Sequence, residues 1–237
     1  MNMKLYRYIS LVEFLEIVMC KQLRLKRPCT WPDKYEGYLY NALTQESGRK
    51  HFAEALNTQG FTEDMLRLAS QMVDLFTNQV YCTCCSTEYD SVLMWTAYNY
   101  GNQSIMIDLD EEALYSLNAN IQIRPVKYDL EGFGIDGYVK NFKTISESVG
   151  IISPESLLCH KRTCFSYEKE IRIILNDFNC ADKTTVVPIH ALKQLICNVL
   201  VHPLASDEYV RIIESICNTS KICFSGKSSV YTLDKIY

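Results

Sequence analysis

The chain has 237 residues, 48% of them hydrophobic and 22% charged, the make-up of a folded globular protein and not of a disordered one. Its net charge is −4, from 24 basic and 28 acidic residues, which excludes bulk electrostatic binding of nucleic acid but leaves room for a local basic groove. No apolar run reaches the roughly 18 residues of a membrane span, and Met1-Asn2-Met3-Lys4 leads straight into strand-like sequence without a signal peptide, so a cytoplasmic protein is expected.

Residues 4–9 alternate as a short strand. Ser10 with Glu13 three positions later is a capping box, and it opens a helix to about residue 21 with Leu11, Phe14, Leu15 and Val18 on one stripe. Residues 23–27 read as a second strand, ended by Pro28. Trp31-Pro32-Asp33-Lys34-Tyr35-Glu36-Gly37 is a loop with turn chemistry. A helical insertion is expected at about 47–79, broken near Gly60, with Met65, Leu68, Met72, Leu75 and Phe76 as its apolar face.

Residues 80–86 form a buried strand by composition, and Ser91 is placed to cap a helix that runs to Tyr100 and stops at Gly101. Residues 104–109 are another strand and 111–118 a short helix. Residues 121–128 look extended. The glycines at 132, 134 and 137 match neither a P-loop nor a dinucleotide-binding pattern. Ser153-Pro154 starts a short helix. Strands follow at 184–189 and 197–202, a helix at 206–217, and strands at 222–224 and 230–233. No linker, repeat or composition shift marks a boundary. The expectation is a single α+β domain over 1–237, with mixed and antiparallel sheets flanked by helices.

The 11 cysteines are odd in number, scattered and without a C-x-x-C pair, which suits reduced thiols better than a disulfide framework. Cys82, Cys84, Cys85, Cys159, His160 and Cys164 could be drawn into a metal site. The usual ligand spacings are missing, so buried small hydrophobes are the better reading and no metal is expected.

The most informative stretch is 165–175, read as one strand throughout. Side chains at i and i+2 share a face of a strand. Glu168, Glu170 and Arg172 therefore project to one side, and Ile171, Ile173 and Leu175 to the core. Two carboxylates about 7 Å apart with an arginine beside them can divide base work from charge stabilisation. A solvated strand face with a surface ion pair is the plain alternative.

Four blocks in order, Leu5-Tyr6-Arg7-Tyr8, Pro32-Asp33-Lys34-Tyr35-Glu36, Met94-Trp95-x-x-Tyr98 and Tyr167-Glu168-x-Glu170-x-Arg172, resemble the bacterial and phage family known as domain of unknown function 2971. That family's loop usually reads Asn-Asp-Pro-x-Glu, and residues 31–36 depart from it. A more distant resemblance is to the ADP-ribosyltransferases that carry a strand arginine, a Ser-Thr-Ser strand end and a Glu-x-Glu strand. Here Arg7, Ser86-Thr87-Glu88 and Glu168-Lys169-Glu170 stand in that order, with Glu88 where a second serine is usual.

That resemblance implies NAD as a substrate and an ADP-ribosyltransferase-like fold. It implies Glu170 stabilising the sugar cation and holding the 2′-hydroxyl, Glu168 deprotonating the acceptor, Arg7 gripping the phosphates and Ser86 ordering the site. Lys161 and Arg172 would add positive charge near the same face. Tyr8, Trp95 or Tyr98 would stack on nicotinamide or adenine. The acceptor (protein, nucleic acid or small molecule) and the oligomeric state stay open, and a toxin or phage-defence effector is one implied role. Two other readings stand beside it. One is a non-catalytic nucleotide- or peptide-binding module on the same fold. The other is a metal-dependent nucleic-acid enzyme, although hard cations usually need further oxygen ligands.

Overall fold

The structure is a computed structural model that describes residues 3–31, 79–130, 158–177, 180 and 182–231, with single helical positions at 46, 50, 54, 64, 67 and 71. The rest of the expected insertion, the loop after Trp31, the glycine-bearing segment and the Ser153-Pro154 helix start lie outside the described residues.

The first half runs β1 (Leu5–Ile9), α1 (Leu11–Met19), β2 (Gln22–Lys26), a 3-10 turn (Pro28–Thr30), β3 (Val80–Ser86), α2 (Val92–Ala97), β4 (Ile105–Leu109), α3 (Glu111–Leu117), β5 (Ile121–Pro125) and β6 (Lys127–Leu130). The second runs β7 (His160–Arg162), a 3-10 helix (Thr163–Glu168), β8 (Glu170–Asn176), β9 (Thr184–Pro188), α4 (Leu192–Leu195), β10 (Ile196–Val201), α5 (Asp207–Ser220) and β11 (Phe224–Lys227). Among the described residues, nine strands form one mixed sheet in the order β11-β10-β4-β1-β3-β2-β9, with β8 also on β3 and β5 beyond it, while β6 and β7 pair separately. The fold is α+β, as the interspersed strands and helices imply.

β3 is the branch point. It pairs along its length with β8, from Val80 opposite Asn176 to Ser86 opposite Glu170. It meets β1 only where Ser86 faces Tyr6, and β2 only where Cys82 faces Lys26. Strands lying on two branches thus converge near Ser86, and the cavity described below is lined from both.

The apolar patterning explains this packing. Ile171, Ile173 and Leu175 on one face of β8 join Leu5, Ile9, Tyr81, Cys85 and the helix residues Phe14 and Ile17 in the main core. On the other face Ile174 packs with Val80, Cys82, Leu158 and Cys159. Each fully buried aliphatic side chain contributes about 1.5–3 kcal/mol. The capping box at α1 is complete, with Glu13 N–H donating to Ser10 Oγ and Ser10 N–H donating to Glu13 Oε2.

Several expected boundaries move. The strand read as beginning at Phe165 begins at Glu170, because Thr163–Glu168 is a 3-10 helix and Lys169 is left-handed at φ 39°. The extended run 121–128 breaks at Val126, whose N–H turns to donate to Glu170 O at 2.9 Å. The helix after Ser91 ends at Ala97, and Ser91 makes no side-chain cap. The strand expected at 222–224 is instead Phe224–Lys227, where Val199 N–H bonds to Cys223 O and Val201 O accepts from Ser228. Val230 and Tyr231 lie in a turn, not a strand. All 11 cysteines are free thiols. Among the described residues no helix is long and apolar enough to cross a membrane.

Candidate active site

A cavity of about 370 Å3 is lined by Arg7 and Tyr8 of β1, Cys84 and Cys85 of β3, Tyr98 after α2, and Lys161, Phe165, Glu168 and Glu170 from the β7–β8 region. Its volume lies at the lower end of small-molecule sites, roughly 300–1,000 Å3. Arg7 and Glu170, far apart in the chain, both line its wall.

The turn that carries Glu168 into this wall is fixed from outside. Ser86 Oγ donates to Glu168 O at 2.5 Å and accepts from Glu88 N–H at 2.9 Å. Thr87 N–H donates to Lys169 O at 3.1 Å, and the Lys169 ammonium reaches the Glu88 carboxylate at 2.5 Å. A backbone carbonyl claimed by a serine hydroxyl need not sit in a β ladder. That is the local reason the strand starts five residues late, at Glu170.

Glu168 and Glu170 are not spaced by strand geometry, but they still converge. The Lys161 ammonium donates to Glu168 Oε2 at 2.6 Å and to Glu170 Oε2 at 3.0 Å, and lies 4.6 Å from the Phe165 ring centroid. Arg172 Nε donates to Glu170 Oε1 at 2.7 Å and its Nη2 to Oε2 at 3.3 Å. Its Nη1 bonds the Leu158 carbonyl, and its guanidinium sits 4.6 Å from the Trp31 ring centroid. Exposures of 5% for Lys161, 6% for Glu168, 3% for Glu170 and 1% for Arg172 make this a buried quartet. The expected solvated face with a surface ion pair is not what forms.

Burial by itself would raise the Glu170 carboxyl. The charge and hydrogen bonds of Arg172, with Lys161 behind them, outweigh that and hold it down to about 2. The same pairing lifts the Arg172 guanidinium well above its ordinary value, although burial works the other way. Burial, followed by the charge of Glu168, pushes the Tyr98 phenol up. Tyr128 is pushed up to about 12, chiefly by burial, and its hydroxyl accepts the Glu170 N–H at 2.6 Å. Cys84 is raised first by its hydrogen bond with Cys82 and then by burial, so it faces the cavity as a neutral thiol.

Arg7 donates through Nη2 to Glu13 Oε1 at 3.2 Å, so the capping-box carboxylate also steadies the cavity's arginine. Tyr8 presents its ring to the cavity and stacks loosely on Tyr98, with centroids 6.4 Å apart at 27°. Its hydroxyl is committed, donating to Glu88 O at 2.9 Å and accepting from Ser91 N–H at 3.1 Å. Trp95 needs correction as a stacking residue. It is fully buried, its Nε1 donates to Asp90 Oδ1 at 2.9 Å, and it meets Tyr8 and His202 edge-on at 4.8 and 5.6 Å. Its ring is core, consistent with the large area an indole buries. Arg172 stands behind Glu170 and does not line the cavity.

Glu13, Tyr128 and Phe165 belong to the site but were not singled out by their local sequence, and Cys84 stood out only as a metal-ligand candidate or small buried hydrophobe. Glu13 carried a signal, the capping box, that pointed only to a helix start. Among the described residues no three His, Cys, Asp or Glu side chains gather where they could hold a metal ion.

No family model and no curated protein matches this chain. The likeness to domain of unknown function 2971 therefore rests on its motifs alone. Solved structures similar to the chain include Thermus sp. 2.9 DarT in complex with NAD+, at a TM-score of 0.39 and 10% identity over 94% of both chains. The same protein in complex with ADP-ribosylated ssDNA gives 0.39 and 10% over 94% of this chain and 93% of that one. With carba-NAD+ it gives 0.37 and 10%, over 95% and 93%. A likeness of this size carries no argument about activity.

Proposed function

We propose that the cavity binds NAD and that the protein transfers ADP-ribose to an acceptor. The observation that carries this reading is that Arg7 and the buried, ionised Glu170 line one cavity. Cleavage of the nicotinamide–ribose bond sends the bonding pair out with nicotinamide and leaves positive charge on the sugar. A carboxylate fixed in place before the reaction stabilises that charge without reorganisation. Glu170 takes this role and accepts the ribose 2′-hydroxyl proton in a hydrogen bond. The acceptor adds to the sugar carbon and gives up its proton to Glu168. Arg7 holds the diphosphate with its fork of donors. The Tyr8 and Tyr98 rings take the flat face of a base, and Ser86 keeps the Glu168 turn in place.

A second reading has support of its own. Both oxygens of Glu170 are already matched by cations, which suits a site that binds a nucleotide without reacting. Isothermal titration with NAD and an assay of nicotinamide release, with protein, single-stranded DNA and RNA offered as acceptors, separate the two. Transfer predicts binding together with release that Glu170→Gln abolishes. Binding without release favours the module, and absence of both sinks the NAD reading. A toxin or defence role predicts growth arrest on expression in bacteria, relieved by Glu170→Gln.

A further inference from the structure

We propose that Lys161 is a positioning residue, whose ammonium keeps Glu168 and Glu170 side by side on the cavity wall, and not a cation that grips the dinucleotide. The inference deepens the reading of the site above and rests on it for its catalytic meaning.

The geometry argues for the clamp. Lys161 is 5% exposed, with its Nζ 2.6 Å from Glu168 and 3.0 Å from Glu170. The small β6–β7 pair serves to hold it there. Lys127 N–H donates to Cys159 O at 2.7 Å, and the neighbouring Val126 N–H donates to Glu170 O, tying Lys161's strand to the strand it serves. Arg172, the other cation, is committed to Glu170 and to the Leu158 carbonyl.

Among the described residues, other titratable groups facing the carboxylates include Tyr98 after α2, Tyr128 on β6, Cys84 on β3 and Tyr167 in the 3-10 helix. Each is pushed upward and stays neutral through the physiological range. Among the described residues, Lys161 is bonded to both carboxylates and Arg172 to Glu170, while Arg7, paired with Glu13, lines the same cavity. Without the ammonium, the two neighbouring carboxylates lose the cation they share. Like charges at such range raise one another's pKa, and one carboxyl then takes up a proton as a shared property of the pair.

The test needs no NAD. Protein labelled with 13C at the glutamate carboxyls is titrated by NMR as wild type, Lys161→Met, Lys161→Arg and Lys161→Met/Glu168→Gln. Lys161→Arg keeps the carboxyl midpoints of wild type. Lys161→Met brings in a carboxyl whose midpoint is about two pH units higher, and the double variant loses it. An unchanged titration in Lys161→Met overturns the proposal. If Lys161→Met fails to fold, the double variant, with one carboxylate fewer, must recover the native amide spectrum, and failure to do so also overturns it.

Nicotinamide release adds an independent arm. Lys161→Met moves the acid limb of the pH–rate profile upward and leaves the KM for NAD within about twofold. A raised KM with both limbs in place assigns Lys161 to the phosphates and sinks the clamp. If wild type releases no nicotinamide, the transfer reading fails while the NMR result still decides this one.

Discussion

Glu170→Gln isolates the acid linkage of the buried quartet. The Glu170 carboxyl lies at about 2 in the folded protein, against an ordinary value of 4.5. A folded pKa below the unfolded one stabilises the fold above the unfolded value, and that contribution is lost as pH falls through 4.5 toward 2. At 1.36 kcal/mol per pH unit, the full contribution is about 3 kcal/mol. Going down from pH 6, the two-state linkage expression gives a loss of about 1 kcal/mol by pH 4 and about 2 kcal/mol by pH 3. Urea unfolding of wild type and Glu170→Gln across pH 3–6 measures this directly. The variant is less stable at pH 6, because it leaves Lys161 and Arg172 short of an anion. Its stability should nevertheless fall less steeply with acid, by that same 2 kcal/mol at pH 3. Carboxylates away from the quartet are common to both proteins and cancel in the difference. If the two stabilities run parallel between pH 6 and 3, Glu170 is not held ionised by its neighbours and the electrostatic account of the site is wrong.

Tyr8→Phe strips the hydroxyl that joins Glu88 O to Ser91 N–H, at a cost of about 1–3 kcal/mol, and hydrogen exchange at the Ser91 amide should quicken before any global loss. Ile173→Ala, fully buried beneath β8, should cost about 2–5 kcal/mol in denaturant, with the larger value if the space does not collapse. Ser10→Ala removes one half of the capping box for about 1 kcal/mol. The exchange protection lost should be confined to the first turn of α1, and a loss spread over β8 would contradict that assignment.

The parts of the fold legible in sequence are those whose cause is local. Ser10 and Glu13 cap α1 as three-residue spacing requires, and the apolar runs at 80–86 and 171–175 became strands buried on both faces. The site was legible as a set of residues more than as a geometry. Glu168 reached the cavity by a route no periodicity could show. Its turn depends on a hydroxyl 82 positions earlier, and Lys169 has no intrinsic preference for the left-handed region it occupies. Trp95 went the other way. A tryptophan among tyrosines suggested stacking, but Asp90 satisfies its indole N–H inside the core, and only the fold could place that acceptor. Tyr128 and Lys161 depend on β6 pairing in parallel with β7, a contact across a long stretch of chain.

The position of the quartet bears on what it is for. Ile171, Ile173 and Leu175 already bury one face of β8 in the main core, so folding does not require charge on the opposite face. Buried ion pairs are weak contributors to stability, and apolar replacements of similar volume are often as good or better. The exposed pairs Arg211–Glu208 and Lys227–Asp207 carry no desolvation burden and contribute little. Lys161, Glu168, Glu170 and Arg172 do carry that burden, and three of the four line the cavity. A desolvated, rigid carboxylate next to an open space has little value for packing and high value where positive charge must develop. The energetic argument and the cavity therefore lead to Glu170 independently of any likeness to other proteins. The measurement that joins them is whether an apolar repacking of the quartet gains stability while abolishing turnover of NAD.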